Sequence, residues 1–578
     1  MVADAVLSER DATGCVAEWA APVLRRAAHR AATAGDLARA STLLNGALSV
    51  RAVSVDQGRV EALIELGRVE ASAGVPDAKQ RWHSAADLAV ELPPLRRIAA
   101  LVALGEATYA SGAVPLARQH FTDAYDLAAD VEVDDETMAR VVVGLSAASL
   151  LTGRRHDGVA ARLSAAIEAP TAYPGVPTRA LMAGAAGEVA LGVDRPVPIV
   201  HRLIDGAVGD HPLPAAVLRP VVESLSAAMS LTGRPDAAVA LLDDRLRQAE
   251  TDHDLPAHVS LLPLRAHAQL LADRLMPART DAARAIELIA THAGASGLAE
   301  APARHVLARA SLELDDQAAA EAACDVTDHR NRWGGTPMHG WFLDGAARVH
   351  AASHDHDRAV AVWREAAREF TLVGGTGGVC EWRDGLARSY AALGDLEEGR
   401  RISAEQSAFA QAFGDVRLLA VARATAAALT DDHLEAAHRL GEALSGLPRG
   451  ANELTRCRLG WERGTRLRRA GRRRAARDQL NASLAIAARL GARRLVRLIG
   501  DELVAAGGAR PGRSDGRLPL TVAEQEIAGL AADGLGNAEI ARRRSVSRKT
   551  VEAQLSSVYR KLGISNRNAL AGVLGAGR

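Results

Sequence analysis

Four glycines in this chain are each followed by a small residue five positions on and a large apolar one nine positions on. Gly35 leads to Ala40 and Leu44, Gly112 to Ala117 and Phe121, Gly233 to Ala238 and Leu242, and Gly471 to Ala476 and Leu480. Three of the four add a further small residue at the twelfth position, namely Ala47, Ala124 and Ser483. His354 leads to Ala359, Trp363 and Ala366 on the same offsets without a glycine. Steps of four and three residues stay on one face of a helix. Each stretch therefore reads as a helix that stops at the glycine, a tight turn, and a second helix. The small residue lets the pair approach and the large one fills the gap between them. Leu66-Gly67 and Leu104-Gly105 add an upstream mark, seven residues before Gly74 and Gly112. A two-helix unit of this kind can bury its apolar face only against neighbours, so its recurrence predicts a stack of helical pairs.

This unit resembles the tetratricopeptide repeat, a helix-turn-helix module that stacks into a superhelix. The spacing is irregular (Gly67 to Gly105 is 38 residues), so the repeats are degenerate. From about residue 16 to 506 no segment shows sustained alternation of β-branched residues. The fold expected is all-α: a tetratricopeptide-like helical-repeat solenoid followed by a small tetrahelical helix-turn-helix domain. Its domains are residues 1–506 (repeats, with a break near 168–178), 507–517 (linker) and 518–578 (tail). The break rests on the three prolines of EAPTAYPGVPT, and the linker on the Gly-, Pro- and Arg-rich GGARPGRSDGR. Residues 329–342, HRNRWGGTPMHGWF, read as an irregular loop carrying two tryptophans.

Composition narrows the function classes. At 578 residues the chain is too long for one core, and with aromatics at 3% that core must come from Ala, Leu and Val. Seventy basic residues balance seventy acidic ones, so the whole chain is no polycation. From Leu518 onward, however, nine Lys or Arg face five Asp or Glu, and two of the three lysines lie there (Lys549 and Lys561). Four distant cysteines, Cys15, Cys324, Cys380 and Cys457, show no paired spacing, which argues against a disulfide framework or a zinc finger. There is no signal-like N-terminus and no apolar run long enough to span a membrane, so a soluble cytoplasmic protein is expected.

The tail carries the most specific pattern. Thr521 and Glu524 form a capping box, Ile527 and Leu530 share a helical face, and Asp533-Gly534 ends the first short helix. Asn537 caps a second helix, over 538–543, with Ile540 and Ala541 turned inward. After a turn at Ser545-Val546, Ser547 caps a third helix that buries Val551, Leu555, Val558 and Leu562. Its opposite face shows Arg548, Lys549, Glu552, Ala553, Ser556 and Arg560. A short helix, a turn and a longer helix with a cationic start make a helix-turn-helix, whose second member enters a DNA major groove.

These residues resemble the LuxR-type helix-turn-helix domain of bacterial transcription regulators. The resemblance is carried by Leu520, Thr521, Glu524, Gly534, Asn537, Glu539-Ile540-Ala541, Ser547, Thr550-Val551 and Lys561-Leu562-Gly563-Ile564. It implies double-stranded DNA as partner, with Arg548, Lys549, Thr550 and Lys561 at phosphates and Glu552, Ala553 and Ser556 nearest the bases. Asn537, Ser547, Gln554 and Arg560 complete the candidate DNA-binding set. It also implies a homodimer on DNA, with Ala569, Leu570 and Val573 in a self-association helix. Two positions depart from the family pattern. Gln554 replaces a frequent His, and Arg544 replaces a frequent core Leu, where a guanidinium must snorkel or find an anion.

The repeats resemble, more loosely, the helical arm of the large ATP-binding LuxR-family regulators, without their N-terminal ATPase module. No GxxxxGK[ST] occurs, and Gly374–Gly378 lacks the lysine that would reach phosphates. No cofactor is therefore expected. His354-Asp355-His356-Asp357 places its histidines two residues apart, which diverge on a helix, so no metal is expected either. No nucleophile triad or carboxylate pair stands out, and the chain is not expected to be an enzyme. The Arg466–Arg477 cluster reads as a solvated face. The function expected is a DNA-binding transcriptional regulator whose repeats receive a protein or small-molecule effector. The alternative is an interaction scaffold with a vestigial helix-turn-helix, favoured by Arg544.

Overall fold

The computed structural model describes residues 3, 6–8, 19–49, 57–73, 75, 78–154, 156–168, 176–192, 196–208, 219–291, 297–371, 381–507, 520, 522–544, 546–562 and 570. Every regular element among them is an α-helix. The chain forms two compact units, one of Met1–Ser311 with Gln317–Ala422, the other of Leu312–Asp316 with Arg423–Arg578.

In the first unit, successive antiparallel helices pack on the next and the next but one. Gln57–Ser72, for example, packs on Ala78–Ala89 and on Pro94–Ala110, and Pro94–Ala110 on Val114–Leu127 and Asp135–Thr152. This is the tetratricopeptide-like solenoid pattern. Gly35, Gly112, Gly233 and Gly471 all take positive φ, between 75° and 82°, as a turn closing one helix before the next requires. The residues at the fifth and ninth positions after them are buried, from Ala40 and Leu44 to Ala476 and Leu480.

The glycines inside the helices have a different role. A Cβ at Gly105 would stand 2.7 Å from the Phe121 ring, and one at Gly144 would strike the same ring. Trp82 sits likewise on Gly67, and Trp363 on Gly385. The large residue of one helix thus lies directly on the backbone of its neighbour, which closes the gap in a core short of bulky side chains.

Several turns lack the glycine signature. His253, Asp273, Asp315 and His354 hold positive φ without being glycine. Asp273 is followed on the same offsets by Ala278, Ala282 and Ala285, all buried. His354 is exposed at its turn, and the following Asp355 side chain accepts from the Arg358 amide at 3.2 Å.

Residues 329–342 are not an irregular loop. They form a short helix, His329–Trp333, and the start of a long one, Pro337–Ala352. Thr336 caps the latter and Pro337 occupies its first turn, where the missing amide costs nothing. Trp333 and Trp341 are buried rather than displayed. The Arg466–Arg477 cluster is only partly a solvated face. Arg466 donates to the carbonyls of Ala428 and Thr430, Arg468 pairs with Glu502 at 2.6 Å, and Arg477 donates to the Ala506 carbonyl.

Burial pushes the thiols of Cys324 and Cys457 up to about 12. Cys15, Cys380, the run Gly374–Gly378, most of the 168–178 break and residues 508–517 of the linker lie outside the described residues. No described helix is long and apolar enough to cross a membrane.

Candidate nucleic-acid interface

Among the described residues the tail holds the helices Val522–Ala532, Asn537–Arg544 and Arg548–Leu562. Their core is Ile527, Ala528, Ala531, Ile540, Ala541, Val551, Leu555, Val558 and Leu570. The inward set expected of the second and third helices is therefore in place, apart from Leu562, whose side chain lies outside the description. Gly534 closes the first helix at φ 91°, with the Leu535 amide donating back to the Leu530 carbonyl at 3.2 Å. The second helix opens one residue earlier than its sequence suggests. The Gly536 carbonyl accepts from Glu539 and Ile540, so Asn537 is already helical and half-buried.

Ser547 caps the third helix: its Oγ accepts from the Thr550 amide at 3.0 Å and lies 2.7 Å from the Thr550 hydroxyl. This pair fixes the first turn, on which Arg548 and Lys549 are exposed. Glu552, Ala553 and Ser556 are exposed on the same side, and Gln554 is half-buried with its buried Oε1 making no hydrogen bond among the described residues. Glu552 accepts from Arg548 at 3.0 Å, an open surface pair. Ser556 turns its hydroxyl back to the Glu552 carbonyl at 2.9 Å. Arg560 and Lys561 belong to the last turns of the helix, their side chains outside the description.

Two expectations need correction. Arg544 is not a core residue. It is exposed and finds its anion in Glu526 of the first helix, so the two helices are bridged by charge at their rim. The feature that favours a vestigial domain is thereby removed. Leu570 is not available for self-association, because it is wholly buried in the core of the tail. Ala569 and Val573 lie outside the described residues.

One further contact is not legible in the sequence. Glu524, expected as half of a capping box, is buried and accepts from Ser557 of the third helix at 2.9 Å; Thr521 lies outside the described residues. Arg542 and Arg543 stand exposed beside Arg544 in the last turn of the second helix, where cations suit the helix dipole. Their outward position follows once Ile540 and Ala541 are seen to face inward.

Residues 518–574 match the model of the bacterial regulatory proteins of the luxR family (GerE). None of the curated proteins matches the chain. Among solved structures, the APC/C hetero-tetramer Cut9-Hcn1 is similar at 13% identity, over 84% of this chain and 93% of that one, with a TM-score of 0.45. A Rap protein complexed with competence and sporulation factor is similar at 10% identity, over 70% and 100%, with a TM-score of 0.43. Yeast Tom70 follows at 11% identity, over 86% and 97%, with a TM-score of 0.30. The packing of these helices and the match over 518–574 identify the C-terminal segment as a helix-turn-helix domain similar to that of the luxR family of bacterial regulatory proteins.

Proposed function

We propose that this chain is a transcription regulator that binds operator DNA by laying the start of the helix Arg548–Leu562 in the major groove. The observation that carries the reading is the division of that helix into a buried stripe, Val551, Leu555 and Val558, and an exposed face opening on Arg548 and Lys549. Arg548, Lys549, Thr550 and Lys561 engage phosphates, with Asn537, Ser547, Gln554 and Arg560 in support. Glu552, Ala553 and Ser556 meet base edges. The Arg548–Glu552 pair is exposed on both sides, at 71% and 48%, so opening it to free Glu552 for a base costs about 1 kcal/mol or less.

Residues 1–506 serve as the effector-receiving region, 507–517 as the linker and 518–578 as the reading head. The protein acts in the cytoplasm, as a homodimer on an inverted repeat, with no catalytic step. Selection of duplexes from a random pool by the full chain tests the reading, followed by mobility shifts at graded salt. A recovered motif is expected, with Lys549→Ala flattening the salt dependence by about one unit of log–log slope for every sequence. A pool that stays random, or an unchanged slope, removes the assignment.

A further inference from the structure

The first unit carries a half-open apolar cavity of about 160 Å³. Its wall comes from seven helices, Pro94–Ala110, Val114–Leu127, Asp135–Thr152, Arg219–Leu231, Leu255–Leu271, Gly297–Glu313 and Pro337–Ala352. Leu150, Leu231, Leu264, Met338 and Trp341 are typical of its lining. Two prolines in the wall, Pro263 and Pro302, lie inside helices, where each withholds the amide that would bond a carbonyl one turn back. A cavity of this size matches an engineered one of roughly 150 Å³ that holds benzene.

One corner of the wall is charged. The Tyr109 hydroxyl donates to Glu223 Oε2 at 2.6 Å, while Glu223 Oε1 is buried and makes no hydrogen bond among the described residues. The Ser260 hydroxyl faces the same carboxyl but bonds, at 3.3 Å, to the Ala257 carbonyl. The nearest guanidinium, Arg219, spends its hydrogens on the Ala110 carbonyl at 2.7 Å and on Asp254 at 2.9 Å. Burial raises the Glu223 carboxyl from its ordinary value, opposed by the Tyr109 hydroxyl, the Arg219 charge and the Ser260 hydroxyl. Across the wall, His267 is 6% exposed and its Nε2 also makes no hydrogen bond among the described residues. Burial holds that imidazole well below its ordinary pKa and therefore neutral. It packs edge-on against Trp341, ring centroids 4.7 Å apart.

We propose that this cavity is the effector site of the regulator and takes a compact hydrophobic primary amine, its ammonium pairing with the Glu223 carboxylate and its apolar body filling the space beside Trp341. The charge pattern selects the amine: a desolvated carboxylate whose neighbouring guanidinium, Arg219, donates its hydrogens elsewhere gains more from an ammonium than from a neutral hydroxyl. An anionic ligand meets the same carboxylate with repulsion. The apolar lining excludes large polar effectors such as sugars, whose hydroxyls would find few partners there.

The effector role rests on the regulator reading; the binding of the amine does not. Calorimetry on the full chain uses benzylamine as probe and benzyl alcohol as its neutral counterpart. Benzylamine is expected to bind saturably at one site. Glu223→Gln is expected to weaken benzylamine at least tenfold while leaving benzyl alcohol within about threefold. Ala227→Leu, which fills the cavity from its wall, is expected to abolish binding of both, with thermal melting used to confirm that each variant is folded. No benzylamine binding to the wild-type chain, equal affinity in folded Glu223→Gln, or retained binding in folded Ala227→Leu overturns the proposal. Mobility shifts with the same preparations separate the two ideas. A chain that selects DNA but ignores benzylamine loses the cavity and keeps the regulator. One that binds benzylamine but selects no DNA keeps the amine site and loses the regulator.

Discussion

At the scale of single residues, the C-terminal domain depends on a few short polar contacts. Ser547 satisfies the Thr550 amide at 3.0 Å, so Ser547→Ala is expected to cost about 1 kcal/mol of tail-domain stability, read from its denaturant midpoint. An unshifted midpoint would mean that water replaces the cap at no cost. Glu552→Ala is expected to change base preference at one operator position by about 1–3 kcal/mol. Duplex selection that returns the wild-type motif takes Glu552 out of the reading set. The cap at Ser547 and the buried stripe are legible in the sequence because each depends on neighbours within one helical turn. Arg544 is not, because its partner Glu526 belongs to another helix and only the packing angle brings them together. Glu524 reads as part of its own helix end for the same reason, and it bonds Ser557 of the third helix.

At the scale of helices, the offsets after each turn glycine are readable because they fall on one face, and the burial of Ala117, Phe121 and Ala124 follows from them. Turns at Asp273 and Asp315 stay hidden because an aspartate holds the left-handed conformation there, which glycine usually marks. The 329–342 segment misleads because Gly-Gly-Thr-Pro suggests a loop, whereas Thr336 and Pro337 open a helix. Gly105 makes the sharpest test. Phe121 is wholly buried and seated against both Gly105 and Gly144, so the ring cannot yield to a new methyl group. Gly105→Ala is expected to destabilise the first unit by about 1–3 kcal/mol through overpacking. Adding Phe121→Leu should recover part of that loss in urea unfolding; a double variant weaker than both singles would place the strain elsewhere.

On the scale of the whole chain, the imidazoles that the first unit buries include His120, His267 and His305. Burial pushes His305 down to about 3 and His120 to about 4, and drives His267 well below its ordinary value of 6.5. The unfolded chain therefore takes up protons below pH 6.5 that the folded unit refuses. Stability is full above that pH and falls as pH drops toward 4, by up to about 1.4 kcal/mol per pH unit for each such group. Urea midpoints of the first unit's transition at pH 7.5 and 5.0 check this, and equal values would show that the imidazoles charge inside the fold. The cavity lies beyond sequence reading altogether. Tyr109 and Glu223 are 114 positions apart, and prolines that normally stop helices lie within two of its walls.

Phe121 belongs to one helical pair, yet its ring rests on the backbone of the helix that opens the next. Sliding either partner by one residue, about 1.5 Å along its axis, would bring a side chain to a spot that admits only hydrogen. The ring therefore acts as a detent: neighbouring units can tilt about it but cannot creep past one another.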